Sequence, residues 1–159
     1  ELDEPYAVAN EISERMLAIG RRKLSARGSP GIGFDNQNAL ALGDMPEYRG
    51  RFKSVLVAQT FHLLSEEDKF SLIRSIRGLL ADGGKAYIFE EDPFRISQTD
   101  PIESVALFLR SIVLEKNHLR NKSDFIAMFT NNGFRKLETR AVEPIDDLHA
   151  MRVFGFEPK

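Results

Sequence analysis

The stretch VLVAQTFHLLSEEDKFSLIRSIRGLLADGGKAYIFEE, residues 55–91, decides the fold of this 159-residue chain. It opens inside an apolar run, residues 52–61, that predicts a buried strand. Ser65 then begins a helix, because Asp68 three residues later completes a capping-box pattern. A second apolar run, residues 86–89, predicts the next buried strand. A strand, a helix and a strand in this order indicate parallel pairing within an α/β domain.

The helix between these strands has an apolar stripe at helical spacing. The tripeptide Asp82-Gly83-Gly84 follows it, and we expect these residues to end the helix and turn the chain. The residues predicted to face the core are Leu72, Ile73, Ile76, Leu79 and Leu80.

Further along the chain the pattern predicts two more helices and two strands. One helix covers residues 101–114, and a shorter one begins at the cap Ser123 and ends at Gly133. Residues 134–142 and 149–156 then predict two strands that form an antiparallel pair.

The first thirty residues allow two interpretations. In the first, residues 6–12 form a short strand and Ser13 caps a helix that ends near Gly28. In the second, a single helix covers residues 5–24, because apolar residues also recur there at helical spacing. Residues 31–38 predict another strand after the glycine- and proline-containing turn. The residues leave the two interpretations open.

Composition limits the possible functions. A length of 159 residues and 42% hydrophobic content predict one domain, residues 1–159, with a substantial core. A net charge of -2 argues against a nucleic-acid binder that works by bulk charge. No apolar run reaches the roughly 18 residues of a membrane span. No cysteine and only three scattered histidines argue against a metal site. We expect a cytoplasmic protein without nucleic-acid or membrane partners.

Five stretches resemble, in the right order, parts of the class I S-adenosylmethionine (SAM)-dependent methyltransferases. The resemblance implies an α/β, Rossmann-like methyltransferase fold, with a mostly parallel sheet and a C-terminal antiparallel strand. The matching stretches are 11–24 (end of the second strand and its helix), 34–42 (third strand and adenine turn), 55–64 (fourth strand and loop), 79–91 (glycine turn and fifth strand) and 132–134 (entry to the sixth strand).

No stretch resembles the family's first strand and glycine-rich loop. Gly28, Gly31 and Gly33 follow a helix and precede a strand, whereas a nucleotide-binding glycine loop follows a strand and opens a helix. In the family that first strand lies between the second and the fourth, so its absence leaves two half-sheets. We expect the N-terminal part of the fold to be missing. The chain is then a fragment, is completed by another polypeptide, or is a degenerate member that has lost cofactor binding.

The resemblance assigns cofactor-binding roles near the first two strands. Glu11 is expected to accept hydrogen bonds from the ribose hydroxyls of SAM. Asn38 and Ala39 occupy the adenine-contacting turn, where the family commonly has Asp and where an Asn oxygen can accept the same hydrogen bond. Asp44 is the competing assignment if the loop is shifted.

The loop after the fourth strand is expected to hold the rest of the site. By resemblance, Ala58 and Gln59 line the methionine end of the cofactor. His62 resembles the catalytic histidine of plant-type O-methyltransferases, although the residues that follow it differ, and it serves either as a general base or as a structural hydrogen-bonding group. Glu90 and Glu91 end the fifth strand and can orient His62 or contact substrate. We predict His62 and Glu91 as the catalytic residues.

These features predict a SAM-dependent methyltransferase acting on a small molecule, with methylation at oxygen as one option. The alternative is a non-catalytic methyltransferase-like subunit that binds a partner through the gap left by the missing strand. A fragment of an NAD-dependent dehydrogenase also places an acidic residue after its second strand. The glycine turn at 82–84 and the terminal strand pair favour the methyltransferase.

Overall fold

The computed structural model describes residues 7–28, 31–91, 122–142 and 151–159. The predicted helix 101–114 lies outside these residues, as do His118 and His149. Short 3-10 turns occur at Leu42–Asp44 and Phe61–Leu63. The helices and strands are β1 (Ala7–Asn10), α1 (Glu14–Ala26), β2 (Ile32–Asp35), β3 (Phe52–Ala58), α2 (Glu66–Leu79), β4 (Leu80–Glu91), α3 (Lys122–Asn131), β5 (Phe134–Val142) and β6 (Met151–Pro158).

At the N-terminal side, the structure confirms the strand followed by a capped helix. The Ser13 side chain accepts a hydrogen bond from the Met16 amide at 3.3 Å, which satisfies one of the free donors at the start of α1. The single-helix alternative is therefore wrong.

The described strands form two separate sheets. β1 pairs only with β2, in parallel, and the second sheet has the order β3-β4-β6-β5. β3 and β4 are parallel, whereas β6 is antiparallel to both β4 and β5. The predicted antiparallel terminal pair is confirmed. The two sheets agree with the arrangement expected from the sequence, since no described strand lies between β1 and β3.

The core lies between the four-stranded sheet and the helices α2 and α3. Phe129 of α3 stacks on Phe156 of β6, with ring centroids 4.0 Å apart and planes 8° apart. Burying each such ring contributes about 2–3 kcal/mol to stability. The predicted apolar stripe faces this core, and its members are all buried: Leu72, Ile73, Ile76 and Leu79 in α2, and Leu80 at the start of β4.

The start of α2 agrees with prediction, but its end does not. The Ser65 hydroxyl accepts the Asp68 amide at 3.2 Å, as the capping pattern predicts. The helix ends at Leu79, three residues before Asp82, because Leu80 already pairs with Phe52 as the first residue of β4. The glycine turn is instead an irregularity inside β4.

Helix α3 also begins earlier than predicted. It starts at Lys122, so Ser123 lies in its first turn and is not its cap. Gly133, whose φ is +81°, follows the helix at the position where the sequence predicts that the helix ends.

Helix α2 also forms hydrogen bonds with the segment between β2 and β3, which joins the two sheets. The Ser75 hydroxyl donates to the Ala39 carbonyl at 2.6 Å and accepts from the Gly43 amide at 2.9 Å. The backbones cross so closely that a Cβ added at Gly43 would overlap the Ser75 carbonyl, and one added at Gly78 would overlap Gly43. Glycine is therefore required on both sides of this crossing.

Candidate functional site at the carboxyl ends of the strands

The predicted site residues collect at the carboxyl ends of the parallel strands. Glu11 follows β1, Asn38 follows β2 by three residues, Gln59 follows β3, and Glu90 lies at the end of β4. Ligands of open α/β sheets bind at this end of the strands.

Glu11 is held in place by the backbone at the end of β1. Its amide donates to the Asp35 carbonyl at 3.0 Å, and its Oε1 accepts the Ser13 amide at 2.9 Å. The other carboxylate oxygen, Oε2, forms no hydrogen bond with the described part of the chain. Next to it, the Asn10 side chain donates to the Gln37 carbonyl at 2.9 Å and ties the end of β1 to the loop after β2.

Asn38 begins a turn on that same loop. Its Oδ1 accepts the Leu40 amide at 3.0 Å, which leaves one lone pair of that oxygen and both amide hydrogens for other partners. Ala39 is partly buried and its carbonyl accepts from Ser75. Asp44, the competing assignment, is exposed in the 3-10 turn that packs on α2.

The side chain of Asp35, the last residue of β2, interacts with other residues of the protein. Its Oδ1 accepts the Gln37 amide at 3.2 Å. Burial, followed by the charge of Asp35 and a hydrogen bond to it, raises the pKa of the Tyr48 hydroxyl above its ordinary value. Tyr48 therefore stays neutral to high pH.

The loop after β3 turns through a strained residue. Gln59 has φ +52°, a left-handed conformation that costs a non-glycine residue about 1 kcal/mol or more. Its amide donates to the Phe89 carbonyl at 2.9 Å, and the Ala58 carbonyl accepts the Thr60 hydroxyl at 3.0 Å. This kink separates the strand from the turn that carries His62.

His62 and Glu90 form a buried pair. The side chain Nδ1 of His62 lies 2.7 Å from Glu90 Oε2, and the two residues are 5% and 2% exposed. Glu90 Oε1 accepts the amides of Thr60 at 3.0 Å and Phe61 at 2.7 Å. Because a carboxylate only accepts, Nδ1 carries the proton and Nε2 is left as the basic nitrogen. The pair fits either role predicted for His62.

Several solved structures similar to the chain are methyltransferases. A SAM-dependent methyltransferase from Clostridium acetobutylicum superposes with a TM-score of 0.67 over 95% of this chain and 74% of its own, at 10% identity. Magnesium protoporphyrin IX methyltransferase from Synechocystis, solved with bound S-adenosylhomocysteine, gives 0.67 over 94% and 62%, at 16% identity. The mitomycin 7-O-methyltransferase MmcR gives 0.74 over 96% of this chain and 41% of its own, at 14% identity.

The chain has the class I methyltransferase fold. At these identities the likeness establishes the fold. No protein-family model matches the sequence, and no curated protein matches it.

Within this methyltransferase fold, the carboxylate that is hydrogen-bonded to the His62 ring belongs to Glu90. Glu91 is the last residue of β4, and its side chain lies outside the described part of the structure. Strand periodicity offered a signal, since Ala86, Ile88 and Glu90 share one face and all are buried. Glu90 and Glu91 were both candidates to orient His62; Glu90 makes that contact, and the catalytic role of Glu91 stays a prediction. Sequence reasoning also missed Ser75 and the strain at Gln59.

The described ranges contain no candidate metal site and no candidate membrane-spanning helix. No group of three or more His, Asp or Glu side chains there is placed to hold a metal ion. None of the helices α1–α3 is long and apolar enough to cross a bilayer.

Proposed function

We propose that this chain is the SAM-binding part of a methyltransferase that acts on a small molecule. The observation that supports it most is the placement of Glu11, Asn38, Ala58 and Gln59 at the carboxyl ends of the strands of a methyltransferase fold. Bound SAM supplies an activated methyl group, so the protein mainly needs to position donor and acceptor and to exclude water.

The residues present fit this cofactor. Glu11 Oε2 has no partner in the described chain and is available to accept from the ribose hydroxyls, while Oε1 is fixed by Ser13. Asn38 retains amide hydrogens and one oxygen lone pair for the adenine ring. Ala58 is exposed and Gln59 partly exposed at the end of β3, where they would line the methionine end.

We propose His62 as the general base, which points to a hydroxyl acceptor. Its Nε2 would take the hydroxyl proton while Glu90 holds the ring in the required tautomer. Glu90 is a positioning residue in this scheme, because it acts through His62. The mitomycin enzyme among the similar structures is an O-methyltransferase by name.

The same proposal includes a further strand at the unpaired edges of β1 and β3. Among the described strands each of them pairs on one side only. By resemblance, a strand from another segment or another chain would fit between them and complete the sheet next to the cofactor.

The experiment is a calorimetric titration of the folded chain with S-adenosylhomocysteine. We expect micromolar binding, weakened at least tenfold in Glu11→Gln, because the neutral amide presents a donor where the ribose hydroxyls need an acceptor. Glu14→Gln, an exposed carboxylate in the first turn of α1, is the matched control and should bind as the wild type does.

Absence of binding by a chain shown to be folded would overturn the proposal for this chain and favour the non-catalytic alternative. Binding that Glu11→Gln and Glu14→Gln leave equally intact would overturn the ribose assignment.

A further inference from the structure

The left-handed turn at Gln59 is fixed from both sides by β4. The peptide before Gln59 is held because the Gln59 amide donates to the Phe89 carbonyl at 2.9 Å. The peptide after it is held because the Thr60 amide donates to Glu90 Oε1 at 3.0 Å. Phe89 and Glu90 are consecutive residues of β4. The two peptide planes that define the conformation of Gln59 are therefore both tied to one strand.

This conformation is unusual for a glutamine. Among the described non-glycine residues, only Gln59 has a positive φ, which is +52°. A left-handed conformation lowers the folding equilibrium constant about fivefold or more for an L-residue, whereas glycine adopts it at no steric cost. Residues in strained conformations are concentrated at binding and catalytic sites, where the surrounding structure maintains them. The strain at Gln59 therefore points to a role for its side chain.

The location of Gln59 indicates what that role is. Gln59 directly follows β3, at the carboxyl ends of the parallel strands, and it is only partly buried. In the proposed function this position is the methionine end of the cofactor, where SAM carries an ammonium and a carboxylate group. A side-chain amide can accept a hydrogen bond from the ammonium group and donate one to the carboxylate.

We propose that Gln59 binds the amino-acid end of SAM through its side-chain amide, and that Phe89 and Glu90 maintain the left-handed conformation that this contact requires. The inference rests on the proposed function and names the residue that recognises this part of the cofactor. Gln59 touches the cofactor in this scheme, whereas Glu90 is a positioning residue. One oxygen of Glu90 then aligns Gln59 through Thr60, and the other aligns His62.

Calorimetric titration with two ligands tests the assignment. S-adenosylhomocysteine carries the amino-acid end, whereas 5′-methylthioadenosine has the same adenine, ribose and sulfur without it. We expect Gln59→Gly to bind S-adenosylhomocysteine about tenfold more weakly than the wild type, because hydrogen bonds to charged groups are lost. Binding of 5′-methylthioadenosine should change by less than about twofold, because glycine keeps the same turn.

Urea unfolding of the same variant tests the strain. Gln59→Gly should unfold at a higher urea concentration than the wild type, because glycine relieves the left-handed conformation. Lys53→Gly is the matched control, at an exposed position near the other end of β3. It should unfold at a lower urea concentration, because glycine weakens a strand, and should bind both ligands as the wild type does. A merely structural glutamine would not combine a gain of stability with the loss of one ligand.

Variants of Glu90 test its hold on Gln59. Glu90→Ala removes the acceptor of the Thr60 amide, so it should weaken S-adenosylhomocysteine binding about tenfold alone but less than about twofold when Gln59→Gly is already present. Glu90→Gln keeps an acceptor for Thr60 and should bind within about threefold of the wild type. Circular dichroism establishes that each variant is folded, and Gln59→Gly decides the proposal by itself where Glu90→Ala does not fold.

Three results for folded Gln59→Gly would each overturn this inference and leave the proposed function intact. They are an equal loss of both ligands, unchanged binding of both ligands, and unfolding at a lower urea concentration than the wild type. Additive losses in the double variant would overturn the part assigned to Glu90. Failure of the folded wild type to bind either ligand would overturn the proposed function as well.

Discussion

Glu90 is the residue on which the conformation of the loop after β3 depends most. One carboxylate oxygen holds the amides of Thr60 and Phe61, and the other holds the His62 ring. Hydrogen bonds to a charged group contribute about 1.5–3 kcal/mol each. The same side chain therefore fixes a turn of the backbone and the orientation of the proposed base.

Glu90→Gln separates these two roles. The amide oxygen can still accept from Thr60 and Phe61, but the amide nitrogen donates to Nδ1 of His62 and so moves the ring proton to Nε2. We expect a folded variant that binds S-adenosylhomocysteine within about threefold of the wild type. Methyl transfer to a hydroxyl should fall about 10²–10⁴-fold, the range of general-base catalysis.

Urea unfolding complements the activity measurement. Glu90→Ala should lower the free energy of unfolding by about 3–5 kcal/mol, because it leaves buried donors without partners. Exposed Glu67→Gln is the control and should change it by less than about 0.5 kcal/mol. Methyl transfer unchanged in Glu90→Gln would show that His62 is structural.

Sequence reasoning placed Glu11, Asn38 and His62 at the strand ends because each follows a recognisable strand or matches a family position. It left open whether Glu90 or Glu91 contacts His62, although the alternation of β4 places Glu90 on the buried face with Ala86 and Ile88. It also gave no sign of the left-handed Gln59, because nothing in the residues around that position signals a positive φ. Such details depend on side-chain direction and on tertiary hydrogen bonds.

At the scale of elements, the crossing of α2 with the 3-10 turn at Leu42–Asp44 controls how the two sheets are joined. Gly78 lies inside α2, where alanine is ordinarily more favourable than glycine by about 1 kcal/mol. Here a Cβ would overlap the Gly43 carbonyl, and the Gly78 carbonyl accepts the Gly50 amide at 2.8 Å.

Gly78→Ala should therefore destabilise the protein by about 1–3 kcal/mol, the cost of overpacking, although it raises helix propensity. Arg74→Ala, at an exposed position of the same helix, should change stability by less than about 0.5 kcal/mol. Chemical denaturation of the two variants measures the difference. A Gly78→Ala protein more stable than the wild type would contradict this crossing geometry.

Among the elements, the caps Ser13 and Ser65 were predicted correctly, whereas the start of α3 and the end of α2 were misplaced. Ser13 and Ser65 were identified as caps because capping is a contact between near neighbours. The end of α2 was misplaced because Leu80 gains more from burial and from pairing with Phe52 than from another helical turn. That preference depends on residues 28 positions apart, which a local pattern does not contain.

At the scale of the molecule, the two sheets differ greatly in the strand pairing and the burial that stabilise them. β1 and β2 share four paired positions and have no fully buried strand residue, whereas β4 lies between β3 and β6 and contains buried Ala86 and Ile88. Native-state hydrogen exchange should report amides of Ile32–Asp35 at least tenfold less protected than those of 86–89. Equal protection would show that the two sheets open together.

The order of elements and the separation into two sheets were both expected from the sequence. The register of β4 against β6 was not, because the two strands are distant along the chain and local patterns do not show which of their residues are opposite each other. Only the pairing of β4 with β6 brings Tyr87 and Gly155 into one row.

The position of β6 also affects biosynthesis. This strand lies inside the sheet, between β4 and β5, yet it is the last of the described strands along the chain. Until residues 151–158 have left the ribosome, β4 and β5 have no strand to pair with between them. Closure of this sheet therefore requires synthesis to pass residue 158, and nascent chains stalled before that point should expose Phe134 and Ile88 to chaperones that bind apolar segments.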